Sequence, residues 1–169
     1  MAYSRFEDLP VWKEAIRLAD GVYDMTESDG WKGSYSLRDQ LERAALSVSN
    51  NIAEGFERGT TNELLAFIYI ARGSAGEVRS MLCFLERREK FSHFKSQISN
   101  LKSIAESCSR QFRGWADHLQ NSEIRGQRHL NDQSRKEYRS RKDAAAFEQE
   151  LMEKLPPDHP FRKFKEKNP

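Results

Sequence analysis

Near the middle of this chain, Phe94, Ile98, Leu101, Ala105, Cys108, Phe112, Trp115 and Leu119 follow one another in steps of four and three residues. That spacing puts them on one stripe of an α-helix and leaves the other side polar, so the segment needs neighbours on one side only. Three earlier segments carry the same kind of seam. Pro10 is placed to open a helix, with Leu9 before it as a staple, and Val11, Trp12, Ala15, Ile16, Ala19, Val22 and Tyr23 form its stripe. Leu37, Leu41, Ala44 or Ala45, Val48 and Ile52 mark a second helix, capped by Ser34 or Ser36 and bracketed at its end by Gly55 and Gly59. Thr60, with Glu63 three residues on, has the pattern of a capping box. It opens a third helix whose face runs through Leu64, Phe67, Ile68, Ala71, Ala75, Val78, Leu82 and Leu85 to the charged stop "ERREK". The fourth begins after Ser92.

No window sustains a two-residue alternation, so a sheet is not expected. Short loops force each helix to run antiparallel to the one before it. The expected fold is therefore all-α: an antiparallel up-down four-helix bundle over residues 1–120, with a charged, partly helical or disordered C-terminal extension over residues 121–169. The composition agrees, because 37% hydrophobic residues against 32% charged can close a core only when the apolar side chains are confined to narrow stripes. Nothing approaches the roughly 18 apolar residues that span a bilayer. The opening "MAYSRFEDLPVW" lacks a basic-then-apolar leader, so a cytoplasmic protein without a membrane partner is expected.

Levels across the turns follow from counting back along each helix pair. A turn centred near residues 57 and 58 sets Arg38 opposite Glu77 and Arg43 opposite Arg72. A turn near residue 90 sets Cys83 opposite about position 98, roughly 15 Å along the axis from Cys108. Two thiols that far apart cannot bridge, and both lie at apolar-periodic positions, so buried reduced cysteines are expected.

Beyond Leu119 the character changes. Residues 121–169 hold 12 of the 28 Lys and Arg and 9 of the 26 Asp and Glu, so the extension is mildly basic and the body nearly neutral. The stretch "QNSEIRGQRHLNDQSRKEYRSRK" reads as a polar linker. "DAAAFEQELMEKL" can form a short amphipathic helix through Phe147, Leu151 and Leu155 before Pro156 and Pro157 stop it. The terminus "PFRKFKEKNP" interleaves Phe161 and Phe164 with cations, like an arm that orders on a partner.

Candidate chemistry is sparse. His93, His118, His129 and His159 are scattered, with no cysteine pair or HExxH-type helix, so no metal site is expected. "RGSAG" at 72–76 has glycines but no preceding strand, which argues against a phosphate loop and for close approach of a neighbouring helix over Gly73, Ala75 and Gly76. Ser47, Ser49 and Ser74 have no histidine level with them to serve as a base. No catalytic centre and no cofactor are expected.

Two surfaces remain. Ser47, Ser49, Asn50, Asn51 and Glu54 crowd a helix that also carries core residues, although Ser and Asn lower helix propensity. They serve either interhelical hydrogen bonding and helix termination, or contact with another subunit or a ligand. Arg38, Arg43, Arg58, Arg72, Arg79, Arg87 and Arg88 form either a basic surface for phosphates or a set of solvated and carboxylate-paired cations, Glu42 and Glu77 being available. Arg38 level with Glu77 favours pairing there; Arg43 facing Arg72 concentrates positive charge.

The stretches "LRDQLERAALSVSNNIAEGFERG" at 37–59 and "FIYIARGSAGEVRSML" at 67–82, with the opening "FEDLPVWKEAIRLADGVYDMT", resemble the bacterial 23S ribosomal RNA intervening-sequence proteins, also called four-helix bundle proteins. The patterns R-A-x-x-S-x-x-x-N-I-A-E-G and I-A-x-G-S-x-x-E carry the resemblance, which covers about residues 5–120. It implies a four-helix bundle that assembles into a ring-like homopentamer. It also implies kinship with accessory proteins of diversity-generating retroelements, which bind nucleic acid and a reverse transcriptase through basic surfaces. Carried over, Arg43, Ser47, Asn51, Glu54, Arg72, Ser74 and Glu77 fall at the family's characteristic polar positions. Of these, Ser47, Asn51, Glu54, Ser74 and Glu77, with Arg38, are expected as interhelix or intersubunit contacts. Arg43, Arg58, Arg72, Arg79, Arg87 and Arg88 are expected to meet nucleic acid.

The function expected is a non-catalytic, oligomeric nucleic-acid-binding protein, RNA being favoured, or an adaptor. The competing reading is a pure protein-interaction module that docks a partner such as a reverse transcriptase through the bundle surface or the extension.

Overall fold

The computed structural model describes residues 3–121, 132–156, 159, 160 and 162. The chain separates into two compact units, Met1–Arg128 and His129–Pro169. In the first, α1 (Pro10–Thr26), α2 (Tyr35–Glu57), α3 (Thr61–Glu86) and α4 (Lys95–Gln120) are joined by short segments, with 3-10 turns at Phe6–Asp8 and Glu89–Phe94. The second contains α5 (Asp132–Lys154). Among the described residues there is no β-strand. The basic terminus with Phe161 and Phe164, and most of the expected linker before α5, lie outside the described residues.

The first three helices start where local chemistry suits a helix N-terminus. Pro10 is the first residue of α1, where its missing donor costs nothing and its fixed φ suits the helix. Ser34 caps α2, its hydroxyl accepting from Leu37 N at 3.4 Å. Thr60 caps α3 by accepting from Glu63 N at 3.2 Å, but the reciprocal half of the capping box is altered. Glu63 accepts the Thr60 hydroxyl at 2.8 Å instead of a backbone N–H.

In the first unit α1 packs against α2 and α4, and α3 packs against α2 and α4, so each helix has two helical neighbours. Their inner stripes meet in one core. Leu18, Met25, Leu41, Ile52, Leu64, Ile68, Leu82, Leu85, Phe91, Ile98, Leu101 and Phe112 are all less than 2% exposed. The inner face of α1 is centred differently from the sequence stripe: Leu18 and Met25 are fully buried, whereas Trp12, Ile16 and Tyr23 sit at its half-buried border. A helix between two neighbours buries the rows facing the gap between them, and Leu18 and Met25 occupy those rows.

The observed levels correct the counted ones. Ser47 of α2 meets Ser74 of α3, and Gln40 donates to Glu77 at 3.2 Å, so these helices run antiparallel about a turn centred near Thr60. The two pairs centre the turn about one and about three residues later than expected, which moves partners by about two to six. Arg38 therefore does not meet Glu77. It lies on the α1 side of α2, bonded to Glu42 at 2.6 Å and 3.4 Å from Glu27. Nor is Arg43 bound up with Arg72: it pairs with Asp39 at 3.0 Å on its own helix.

The turn between α3 and α4 is later too, because Glu89–Phe94 is a 3-10 segment and α4 starts only at Lys95. Lys102 donates to Glu86 at 2.7 Å, and Gln120 donates to the Tyr69 hydroxyl at 2.8 Å. On that alignment Cys83 and Cys108 are nearly level. They remain free for another reason: Cys83 is exposed and near Lys102, whereas Cys108 is buried and its electrostatic neighbours are Glu14 and Arg17 of α1. Burial pushes the Cys108 thiol up to about 12.

The glycines differ from expectation as well. A Cβ on Gly73 or Gly76 would meet nothing within 4 Å, so no helix crosses there. Close approach occurs at Gly55, where a Cβ would stand 2.6 Å from Phe67 Cβ.

The helix of the second unit starts at Asp132, well before the expected Asp143, because residues 132–142 contain no Gly or Pro and are rich in Arg, Lys, Gln and Glu, which favour helix. At its end Leu155 N bonds Leu151 O at 3.0 Å, and Arg162 Nε donates to Met152 O at 2.9 Å.

Two measurements check this packing. In urea unfolding, Gly55→Ala should destabilise the protein by about 1–3 kcal/mol through overpacking against Phe67, whereas Gly76→Ala should stabilise it by roughly 0.5–1 kcal/mol through helix propensity. Equal effects would contradict the assignment of close approach. With a thiol-reactive chromophore at pH 8, the native protein should expose one fast thiol, Cys83, and a second only on unfolding. Because Cys108 titrates at about 12 when folded against 9.0 when free, the unfolded chain loses its proton first. Its contribution to stability is thus present below pH 9 and lost as pH rises towards 12, a decline that Cys108→Ala should abolish.

Candidate nucleic-acid interface

The six arginines expected to meet nucleic acid do not form one patch. Arg58 lies just past α2 and Arg87 just past α3, and the 26 residues of α3 between them span about 39 Å at roughly 1.5 Å per residue. Two of the six are occupied. Arg43 holds Asp39, and Arg58 holds Glu54 at 2.6 Å and Glu63 at 3.9 Å while lying over the Phe67 ring at 5.2 Å. The hydrogen bond to Glu54 raises the Arg58 pKa above its ordinary value, favouring the paired cation.

The other four are exposed, and none forms an ion pair within the described residues. Arg72 and Arg79 are seven residues apart on α3, two helical turns, and so project from nearly the same line. Arg87 and Arg88 close the helix, their backbone N–H groups bonding Phe84 O and Leu85 O. The Arg88 guanidinium stacks over the Phe84 ring with 4.5 Å to the centroid.

The polar residues of α2 and α3 form a directed chain of hydrogen bonds. Asn51 donates to Ser47 Oγ at 2.9 Å and to Ser47 O at 2.6 Å. Ser74 donates to Ile70 O at 3.2 Å, which leaves the Ser47 hydroxyl to donate to Ser74 across the helix gap at 3.0 Å. Glu54 lies outside this chain with Arg58, and Glu77 accepts from Gln40. Ser49 turns inward, 2% exposed, and returns its proton to Leu46 O at 3.1 Å.

A second joint couples α1 to α2: Thr26, 1% exposed, donates to Glu42 at 2.5 Å, and Glu42 also accepts from Arg38. Nearby, the loop between α1 and α2 docks on the Glu89–Phe94 turn. Trp31 packs on Phe91 at 5.0 Å between ring centroids, and His93 Nε2 donates to the Gly30 carbonyl at 2.9 Å. The Trp31 indole N–H is buried there without a hydrogen-bond partner among the described residues.

At this end Ser34, Leu37, Phe84, Arg88, Glu89 and Lys90 line an open groove. Lys90 lies over the Phe91 ring at 5.1 Å and forms no ion pair within the described residues. Sequence reasoning missed Phe84 and Lys90 as surface features, because "ERREK" reads as a charged helix stop. The available signal was that Phe84 departs from the buried stripe, and it is 43% exposed.

Among the described residues no group of three or more His, Cys, Asp or Glu could hold a metal ion. No helix there is long and apolar enough to cross a membrane.

Comparison with curated proteins finds no significant match. A family model described as 23S rRNA-intervening sequence protein matches residues 7–114. That span runs from the 3-10 turn before α1 into the last turns of α4 and covers every joint between α2 and α3 described above. With well over half of its length matched, the chain belongs to the 23S rRNA-intervening sequence protein family.

Proposed function

We propose that this protein works without catalysis, as an oligomeric RNA-binding or adaptor protein. Arg72, Arg79, Arg87 and Arg88 carry the reading: four exposed cations with no carboxylate partner within the described residues. Free cations displace condensed counterions from a phosphate backbone, whereas paired ones must first give up a carboxylate. The family's association with ribosomal RNA supports the choice of RNA.

The proposal includes an antiparallel up-down four-helix bundle over residues 1–120, residues 121–169 as an appended charged segment, and a cytoplasmic setting. It also includes a ring of copies, five by family resemblance. Tyr69 and Ile70, 44% and 51% exposed on α3, supply apolar surface for such contacts. A ring would repeat a modest basic surface and raise avidity by effective concentration.

Fluorescence anisotropy with a labelled RNA across a salt series tests this. Binding should weaken linearly in log–log form with salt, and the double variant Arg72→Gln/Arg79→Gln should lower the slope by about 1.4 for a single strand. Arg43→Gln should change it by less than half as much per residue, since Asp39 already holds that cation. No affinity for RNA or DNA at low salt, or affinity indifferent to salt, would eliminate the proposal.

One observation favours a second reading, a protein-docking module whose partner is a protein such as a reverse transcriptase. Phe147 of α5 is 66% exposed, with Leu151 on the same helix and Leu155 just past its end both half-buried. Deleting residues 121–169 separates the readings: loss of a protein partner with intact RNA affinity favours docking.

A further inference from the structure

The groove beside the α3 terminus combines features that a purely electrostatic RNA surface does not need. Arg88 and Lys90 line it together with Phe84, which stays 43% exposed even with the guanidinium stacked on it. A stacked guanidinium keeps its N–H fork at the ring edge available to a phosphate, so cation and aromatic surface are offered side by side. The groove is open to solvent, with a volume of about 490 Å³. Glu89 also lines it and opposes an anion.

We propose that this groove holds one unpaired nucleotide of an RNA strand, with its phosphate between Arg88 and Lys90 and its base against Phe84. The inference rests on the RNA-binding reading and adds selectivity to it. Duplex RNA presents phosphates to any basic surface, but its base faces are stacked away; an exposed ring beside two cations gains contact only from a nucleotide free to stack. An acidic peptide would satisfy Arg88 and Lys90 yet leave Phe84 without a role. The Arg72–Arg79 line offers cations without that pairing of groove and ring.

Affinity of the full chain for a labelled oligouridylate and for a blunt RNA duplex, each over a salt series, provides the test. Phe84→Ala should weaken oligouridylate binding about tenfold, leave duplex affinity within about twofold and keep the salt slope. Phe84→Trp should restore it. Arg88→Gln and Lys90→Gln should each lower the oligouridylate slope by about 0.7. Glu89→Gln should tighten binding about two- to threefold by removing the opposing charge. Phe84 and these cations are surface residues, and an unchanged helical spectrum and unfolding midpoint in each variant keeps the comparison valid. Salt-dependent RNA binding that none of the four positions alters would overturn the groove assignment and leave the RNA reading intact. No RNA binding by the unaltered protein would overturn both. Displacement of oligouridylate by polyglutamate, sensitive to Arg88→Gln but equal in the unaltered protein and Phe84→Ala, would make the groove a carboxylate site and overturn the nucleotide assignment.

Discussion

The structure depends on a dry seam in which small and large side chains alternate across four helices. Ala15, Ala19, Ala44, Ala45, Ala71, Ala75, Ala105 and Ala116 are all 5% exposed or less, and they lie between fully buried Leu, Ile, Met and Phe residues. The small residues let neighbouring helices approach, and the large ones fill the space that remains, which is how a chain with few hydrophobic residues reaches native packing density. The one buried thiol, Cys108, is held protonated by that same burial.

Within that seam, a few polar joints fix how the helices slide. An apolar stripe tolerates displacement by a helical turn at modest cost, but Ser47 is bonded across the gap to Ser74, and Thr26 to Glu42. Each such bond is worth about 1 kcal/mol net, comparable with what Ser and Asn lose as helix formers. Their larger effect is on alignment: displacing α2 against α3 by one turn would take from the part-buried Ser47 hydroxyl its acceptor across the gap.

Helix identity, most of the core and two of the caps were legible in the sequence, because stripe periodicity and the Ser34 and Thr60 caps are local properties. Level and facing were not. They depend on where each turn is centred, and Glu89–Phe94, hidden inside a run of charges and aromatics, displaced α4 enough to bring Cys83 level with Cys108. Residues were also misjudged where the sequence shows composition but not neighbours. Gly73 and Gly76 suggested a crossing and face open space, whereas at Gly55, read as helix punctuation, an added Cβ would stand 2.6 Å from Phe67 Cβ on the neighbouring helix. Of the candidate arginines, Arg43 and Arg58 were separable in the sequence, each having a carboxylate four residues before it, from Arg72, Arg79, Arg87 and Arg88, which form no ion pair among the described residues.

That separation gives the basic surface its geometry. Arg72 and Arg79 are two turns apart, about 10 Å along α3, while a nucleic-acid strand in a duplex advances about 3.4 Å per phosphate. A strand lying along the helix would therefore bring phosphates about three nucleotides apart to the two cations and, continuing in the same direction, run towards Arg87 and Arg88. On the RNA-binding reading, the helix line serves as a sequence-blind track and the groove beside Phe84 as its terminus. The core sets both: the rows of α3 that cannot be buried include those carrying Arg72 and Arg79, and the late turn into α4 brings Lys90 to the side of Arg88.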